Sequence, residues 1–159
     1  MLPGGPRRQA WLDWRRDNIT KVVKAVSEQV RAIKPKVKLS AAVFRNWPTD
    51  RDAVGQDWKL WCERGYLDFV CPMDYTASTA QFDTWVSHQR EWAGQTPCYP
   101  GIGSYLLTPE QVIGQIQATR RHEMRGFTVF NYDTRMAQTL LPRLSVGTTR
   151  RAGPGSQPR

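Results

Sequence analysis

The sequence has little of what marks metal centres, disulfide frameworks and membrane proteins. It contains three cysteines, an odd number, and no CxxC or His-linked spacing, so we expect no disulfide set, no metal and no cofactor. No run approaches the ~18 apolar residues of a membrane span, and the N-terminus lacks the apolar core of a signal peptide. We therefore expect no membrane partner, and the sequence leaves the localisation open.

Acidic residues are absent from both terminal stretches, and this explains most of the net charge of +9. Six arginines lie before residue 9 or after residue 142, which leaves +3 for residues 9–142. Segments 1–9 and 145–159 lack a periodic apolar face, so we expect disordered tails around one domain at 10–144. The basic residues are not interleaved with aromatic ones and form no recognition helix. Nucleic-acid binding is therefore the hypothesis that we rank lowest.

What the sequence does contain is a repeated rhythm of short apolar runs, each followed by a helix-like stretch. The runs are VKLSAAVF from Val37, LDFVCPMDY from Leu67, PCYPGIGSY from Pro97 and GFTVFNYD from Gly126. Their starts are 30, 30 and 29 residues apart. This is the spacing of βα units that build a parallel sheet. A (β/α)8 barrel needs about 250 residues, so four units would supply half of one.

Apolar residues at intervals of three and four predict the helices between these strands. We expect helices over 11–33, 52–64, 79–92 and 109–124, a short closing helix over 136–144, and a polar loop over 46–51. Thr108, Pro109 and Gln111 form a strong helix start. Four tryptophans at helical spacing are predicted to be core residues: Trp58, Trp61, Trp85 and Trp92.

Acids close two of the apolar runs, at Asp74 and Asp133. Parallel βα folds carry their chemistry at the C-terminal ends of the strands. An ionisable side chain at the end of an apolar strand is costly unless it has a task or a partner there. Paired carboxyl groups are what glycoside hydrolysis uses, so we predict these two as catalytic residues. The alternative is that each acid caps the loop or helix that follows it.

Aromatic residues at the same strand ends strengthen the sugar interpretation. Tyr75, Tyr105 and Tyr132 stand there, and aromatic rings combine an apolar face with a polar group, as binding of a sugar ring requires. The alternative is that they are core residues. Further candidates for substrate binding are polar residues at the strand ends and on the first helix: Arg45, Asn46, Asn131 and Arg15. For Arg15, the alternative is a solvated helix terminus.

Several segments, taken in order, resemble a known pattern. They are WLDWRRDNI, KPKVKLSAAVF, DWKLWCERGYLDFVCPMDYT, GIGSY and GFTVFNYD. Over residues 11–144 the chain is similar to the C-terminal half of the glycosyl hydrolase-like 10 family of bacterial proteins. The resemblance implies an α/β fold, half of a (β/α)8 TIM barrel, with the four strands as its fifth to eighth. It also implies a carbohydrate substrate, action on glycosidic bonds of cell-wall or surface glycans, and relatives that are exported.

Two features depart from the family's pattern. An acidic DGIHFD-like motif should stand just before WLDWRRDNI, where this sequence is tail-like, and the first strand end reads AAVFRNWP in place of PFGIWRN. We therefore expect a truncated product whose barrel is completed by a missing N-terminal half or by a second copy in a homodimer. The alternative function is that of a non-catalytic carbohydrate-binding remnant.

Overall fold

The computed structural model describes Gly5 and residues 7–149. The strands are β1 (Ser40–Val43), β2 (Phe69–Pro72), β3 (Gly101–Gly103) and β4 (Thr128–Phe130). The helices are α1 (Arg8–Ile33), α2 (Trp47–Ala53), α3 (Trp58–Glu63), α4 (Thr79–Ala93), α5 (Pro109–Arg121), α6 (Thr134–Thr139) and α7 (Leu141–Arg143). The predicted tails fall mostly outside the described residues; within them, residues 8–9 belong to α1 and residues 145–148 to a final helical turn.

The four strands run parallel, in the order β1-β2-β3-β4. β1 pairs with β2, and β3 pairs with β4, over their full lengths. Between β2 and β3, two bridges form a narrower seam, from Val70 to Cys98 and from Met73 to Gly101. The Asp74 amide also donates to the Gly101 carbonyl across this seam, at 3.1 Å. Since consecutive strands are neighbours and βα crossovers are right-handed, the crossover helices lie on one face of the sheet.

Side chains alternate between the two faces of the sheet. Val43, Val70 and Ile102 are fully buried beneath the helices. Residues of the opposite phase are half-buried or exposed: Ala42, Phe69, Cys71, Thr128 and Phe130. In the described part of the chain, this second face carries no helix layer, and much of its surface is apolar or aromatic.

Two apolar clusters fill the space between the sheet and the helices. The first surrounds β1, β2 and α3 and includes Trp58 and Trp61. The second surrounds β3, α5 and the C-terminal helices. Helix α4 belongs to both, because Phe82 and Val86 pack in the second cluster and Ala93 packs in the first.

The segment predicted as a polar loop at 46–51 is helical, so that prediction was wrong. Pro48 occupies the first turn of α2, where its fixed φ favours a helix, and the Asp50 carboxylate accepts from the Asn46 amide at 2.8 Å. The helix predicted over 52–64 is interrupted at Gly55, whose φ of +78° ends α2. Helix α3 therefore begins at Trp58 rather than at residue 52.

The other helices differ from the sequence prediction by a few residues, and α5 ends at Arg121 rather than at residue 124. The single closing helix predicted over 136–144 is divided into α6, α7 and the final helical turn. Helix α1 ends at Ile33 as predicted but begins three residues earlier, and α4 extends one residue further. The predicted start of α5 is confirmed, because Thr108 and Gln111 form a reciprocal capping box. Each strand is shorter than its apolar run.

Two glycines provide a test of the packing. A Cβ at Gly101 would lie 2.7 Å from the Pro72 carbonyl oxygen, a backbone atom that cannot move aside. We expect Gly101→Ala to lower the free energy of unfolding by about 1–3 kcal/mol. Gly114→Ala should raise it by about 0.5–1 kcal/mol, because alanine favours a helix and the nearest atom, on Thr79, would be 3.8 Å away. Urea unfolding measures both, and shifts of the same sign would contradict this prediction.

Candidate carbohydrate site

Three aromatic rings meet at the C-terminal ends of β2, β3 and β4. Tyr75 stacks on Phe130 with ring centroids 5.3 Å apart and an interplanar angle of 19°. Tyr105 packs edge-on against both, at 6.0 Å from Tyr75 and 6.1 Å from Phe130. We refer to these three residues as the aromatic triad. Tyr105 is 46% exposed and Phe130 is 52% exposed, so a large part of the triad faces solvent.

Gly103 on β3 makes room for the triad. A Cβ at this position would lie 3.2 Å from the Tyr75 Cβ and 3.3 Å from the Tyr105 ring. Contacts this close would push the neighbouring side chains outward. The missing side chain therefore lets the Tyr75 and Tyr105 rings approach the end of β3.

A small pocket of about 50 Å³ lies beside the triad, where α6 begins. Tyr105, Asp133 and Arg135 are among its lining residues. Asp133 is exposed, and its Oδ1 accepts a hydrogen bond of 2.7 Å from the Met136 amide, which caps α6. The pocket therefore combines an aromatic ring with an acid and a base at the surface.

Asp74 lies in a different environment. It is fully buried, in phase with Val70 and Pro72, and so faces the helices rather than the open face of the sheet. The Gln89 amide donates to Oδ1 at 2.7 Å, whereas Oδ2 has no hydrogen-bond partner among the described residues. Burial raises the pKa of Asp74 to about 7, against the opposing effects of the Gln89 hydrogen bond and the Arg45 charge.

The remaining candidates on the first strand end and on α1 do not converge on the triad. Arg45 stacks over the Trp85 ring at 4.5 Å, and the Asn46 side chain donates to the Thr49 hydroxyl at 3.2 Å. Arg15 donates to the Ala53 carbonyl at 3.1 Å, which ties α1 to α2.

Two further candidates follow β4 directly. The Asn131 carbonyl accepts a hydrogen bond of 3.4 Å from the Ser104 hydroxyl, which links the end of β4 to the end of β3. Tyr132 is 73% exposed. Of the predicted residues, the structure therefore brings together Tyr75, Tyr105 and Asp133 around the triad and its pocket. The assignment of Asp74 and Asp133 as catalytic stays a prediction.

Sequence reasoning missed two residues, Phe130 and Gln89. Phe130 is the last residue of β4 and completes the triad, which its position beside Asn131 and Tyr132 could have suggested. Gln89 falls at the buried phase of α4 with Phe82, so an isolated polar residue on an apolar face was the available signal. Within residues 7–149, no group of three His, Cys, Asp or Glu side chains could hold a metal ion.

A family model described as Glycosyl hydrolase-like 10 matches residues 3–113, more than half of the chain. The chain belongs to the glycosyl hydrolase-like 10 family. Glycosyl hydrolase YngK of Bacillus subtilis (strain 168) is 26% identical over 141 residues, which cover 70% of this chain and 28% of that protein. Glycosyl hydrolase DigH of Escherichia coli strain K12 is 31% identical over 117 residues. This match covers 60% of this chain and 26% of that protein. DigH of Escherichia coli O6:H1 gives the same values.

The resemblance to the glycosyl hydrolase-like 10 family seen in the sequence is thus confirmed, and the mixed α/β architecture is consistent with it. The chain spans about a quarter of the length of the curated relatives that it matches. The matched region includes Asp74, Tyr75 and Tyr105, whereas Phe130 and Asp133 lie beyond residue 113. None of the helices that the structure describes has the length and hydrophobicity of a membrane span.

Proposed function

We propose that the four βα units are half of a (β/α)8 barrel, with β1 to β4 as its fifth to eighth strands and residues 10–144 as the barrel part of the chain. The consecutive strand order supports this, because a sheet with its helices on one face leaves the other face for a barrel interior. The apolar and aromatic side chains of that second face fit such an interior.

The outer helix of the layer supports the same proposal. Helix α1 exposes Trp14, Val22 and Ile33 on its surface. A row of exposed apolar residues on a helix is typical of a surface that another element covers. In a closed ring, the next helix would pack there. The other half of the barrel would come from a further segment of the same protein or from a second copy of the chain.

The function that the site supports best is binding of a glycan across the C-terminal strand ends and hydrolysis of its glycosidic bonds. The observation that carries this proposal is the exposed aromatic triad beside Asp133 in a chain of this family. Aromatic faces pack on the apolar C–H surface of a sugar ring, while nearby polar groups bind its hydroxyls. The substrate class that we propose is bacterial cell-wall or surface polysaccharide.

Hydrolysis would use the carboxyl groups of Asp74 and Asp133. Burial raises the pKa of Asp74 to about 7, so this carboxyl group is mostly protonated below neutral pH, as an acid that protonates the leaving oxygen must be. Asp133 lies at the surface, where it would attack the sugar or activate a water molecule. Asp74 is buried beneath α4, so this role requires its side chain to turn toward the substrate.

A second function, carbohydrate binding without hydrolysis, is favoured by two observations. Asp74 has no exposed surface, and Oδ1 of Asp133 is engaged in capping α6. On this alternative, the aromatic triad binds the sugar and neither carboxyl group reacts with it.

Asp133→Asn distinguishes the two functions, because it removes the carboxyl group that hydrolysis would use. The fold is kept, since asparagine caps a helix as well as aspartate does. If the chain hydrolyses glycans, turnover of purified cell-wall glycan strands should fall by about 100-fold or more, while their affinity is retained. Product release is followed chromatographically and affinity by calorimetry. Glu28→Gln is the matched control, because Glu28 is an exposed acid on α1, away from the strand ends.

The outcomes for the two proposals differ. Absence of turnover by the unaltered chain at every pH tested would reject hydrolysis for this chain and leave binding. Unchanged affinity in Tyr105→Ala would reject the triad as the sugar-binding surface.

A further inference from the structure

Two glutamines lie beneath the strand ends, Gln89 on α4 and Gln115 on α5, and both are fully buried. The Gln89 amide nitrogen donates to Oδ1 of Asp74 at 2.7 Å and to the Arg45 carbonyl at 3.0 Å. The Gln115 amide nitrogen donates to the Thr76 carbonyl at 3.0 Å. Each helix therefore reaches the loop after β2 through one buried amide.

Neither glutamine is a favourable choice for packing. Gln89 shares the buried face of α4 with Phe82 and Val86, and Gln115 shares that of α5 with Val112. The amide oxygens of both glutamines lack a hydrogen-bond partner within the described structure. A buried acceptor without a partner destabilises the fold, a cost that an apolar residue of similar size would avoid. The amides therefore have a use that packing does not explain.

The two amides bind the residues on either side of Tyr75. Gln89 binds the side chain of Asp74, Gln115 binds the backbone of Thr76, and Tyr75 stands between them. The Tyr75 ring stacks on Phe130 and packs edge-on against Tyr105 in the aromatic triad. The two neighbours of Tyr75 are thus held, Asp74 by its side chain from α4 and Thr76 by its carbonyl from α5. The Tyr75 ring lies on the opposite face of the sheet, over Gly103.

We propose that Gln89 and Gln115 are positioning residues that fix Tyr75, and with it the aromatic triad, in the geometry that binds a sugar ring. The inference depends on the proposed function for the identity of the ligand alone. Neither glutamine touches the sugar, because both lie beneath the sheet. Their effect on affinity passes through the position of the Tyr75 ring.

The test uses Gln89→Met and Gln115→Met, which keep the side-chain volume and remove the amides. Gln117→Met, at an exposed position of α5, is the matched control. Fluorine NMR of fluorotyrosine-labelled protein reports on the ring, and the Tyr75 signal is the one lost in Tyr75→Phe. We expect this signal to shift or broaden in both buried variants and to remain unchanged in the control. Affinity for purified cell-wall glycan strands should fall by about tenfold, the effect of one lost hydrogen bond.

Each result of this test either supports or overturns the role of the two glutamines. An unchanged Tyr75 signal in both folded variants would overturn the inference, as would loss of folding in both, because the amides would then serve the core. If only one variant folds, the inference is tested by the Tyr75 signal of that variant, and an unchanged signal overturns it. If the unaltered chain binds no glycan strands, the proposed function fails, while the Tyr75 signal still tests the role of the two glutamines.

Discussion

Replacement of Trp58 by alanine is expected to lower the free energy of unfolding by about 3–5 kcal/mol, the usual cost of deleting a large buried aromatic side chain. Trp58 is fully buried in the first apolar cluster and packs edge-on against Trp92, with ring centroids 5.9 Å apart. Its indole nitrogen donates to the Phe44 carbonyl at 3.1 Å. The substitution therefore leaves a cavity and also removes the donor at the end of β1.

The matched control for this substitution is Trp14→Ala. Trp14 is 60% exposed on α1, so its loss should change the free energy of unfolding by no more than about 0.5 kcal/mol. Urea unfolding followed by circular dichroism compares the two variants. Equal losses at positions 14 and 58 would contradict the burial described for this chain.

The second large effect is a dependence of stability on pH that comes from Asp74. Burial raises its pKa from 3.8 to about 7, so the folded chain keeps a proton that the unfolded chain releases. Stability from this group is fully present below about pH 4 and is lost as the pH rises to about 7, by up to about 4 kcal/mol. Asp74→Asn removes the titrating group and keeps an oxygen that can accept from Gln89, so this loss should disappear.

Urea unfolding at a series of pH values measures this difference. Asp133→Asn should retain the pH dependence of the unaltered chain, because Asp133 is exposed and its replacement leaves the buried carboxyl in place. An Asp74→Asn variant that loses stability with rising pH as steeply as the unaltered chain would show that another group titrates. The same variant tests the proposed acid role, since asparagine has no acidic proton to transfer. If the proposed hydrolysis uses Asp74, Asp74→Asn should lose turnover and keep binding.

The sequence predicted the number and order of the βα units because their apolar runs and helix starts are local signals. Thr108 with Gln111 is one example, since a capping box is visible in four consecutive residues. The break at Gly55 was missed because the apolar spacing continues through it, whereas the backbone turns there with a positive φ.

The faces of the strand ends were harder to predict. Asp74 and Tyr75 are neighbours in sequence, yet one residue along a strand changes the face of the sheet. Asp74 continues the phase of Val70 and enters the helix layer, whereas Tyr75 lies on the open face. If the two faces of a strand end are not distinguished, Asp74 and Tyr75 are both predicted to lie near the substrate. The contact between Tyr75 and Phe130 also depends on tertiary structure, because 55 residues separate them.

The seam between β2 and β3 has a consequence for the cooperativity of unfolding. Each pair of strands has its own apolar cluster, and two bridges connect the pairs. Such an arrangement permits partial opening, in which the amides of β3 and β4 exchange with solvent while β1 and β2 stay protected. Helix α4 packs in both clusters, so its contacts set the free energy that separates this partial opening from complete unfolding.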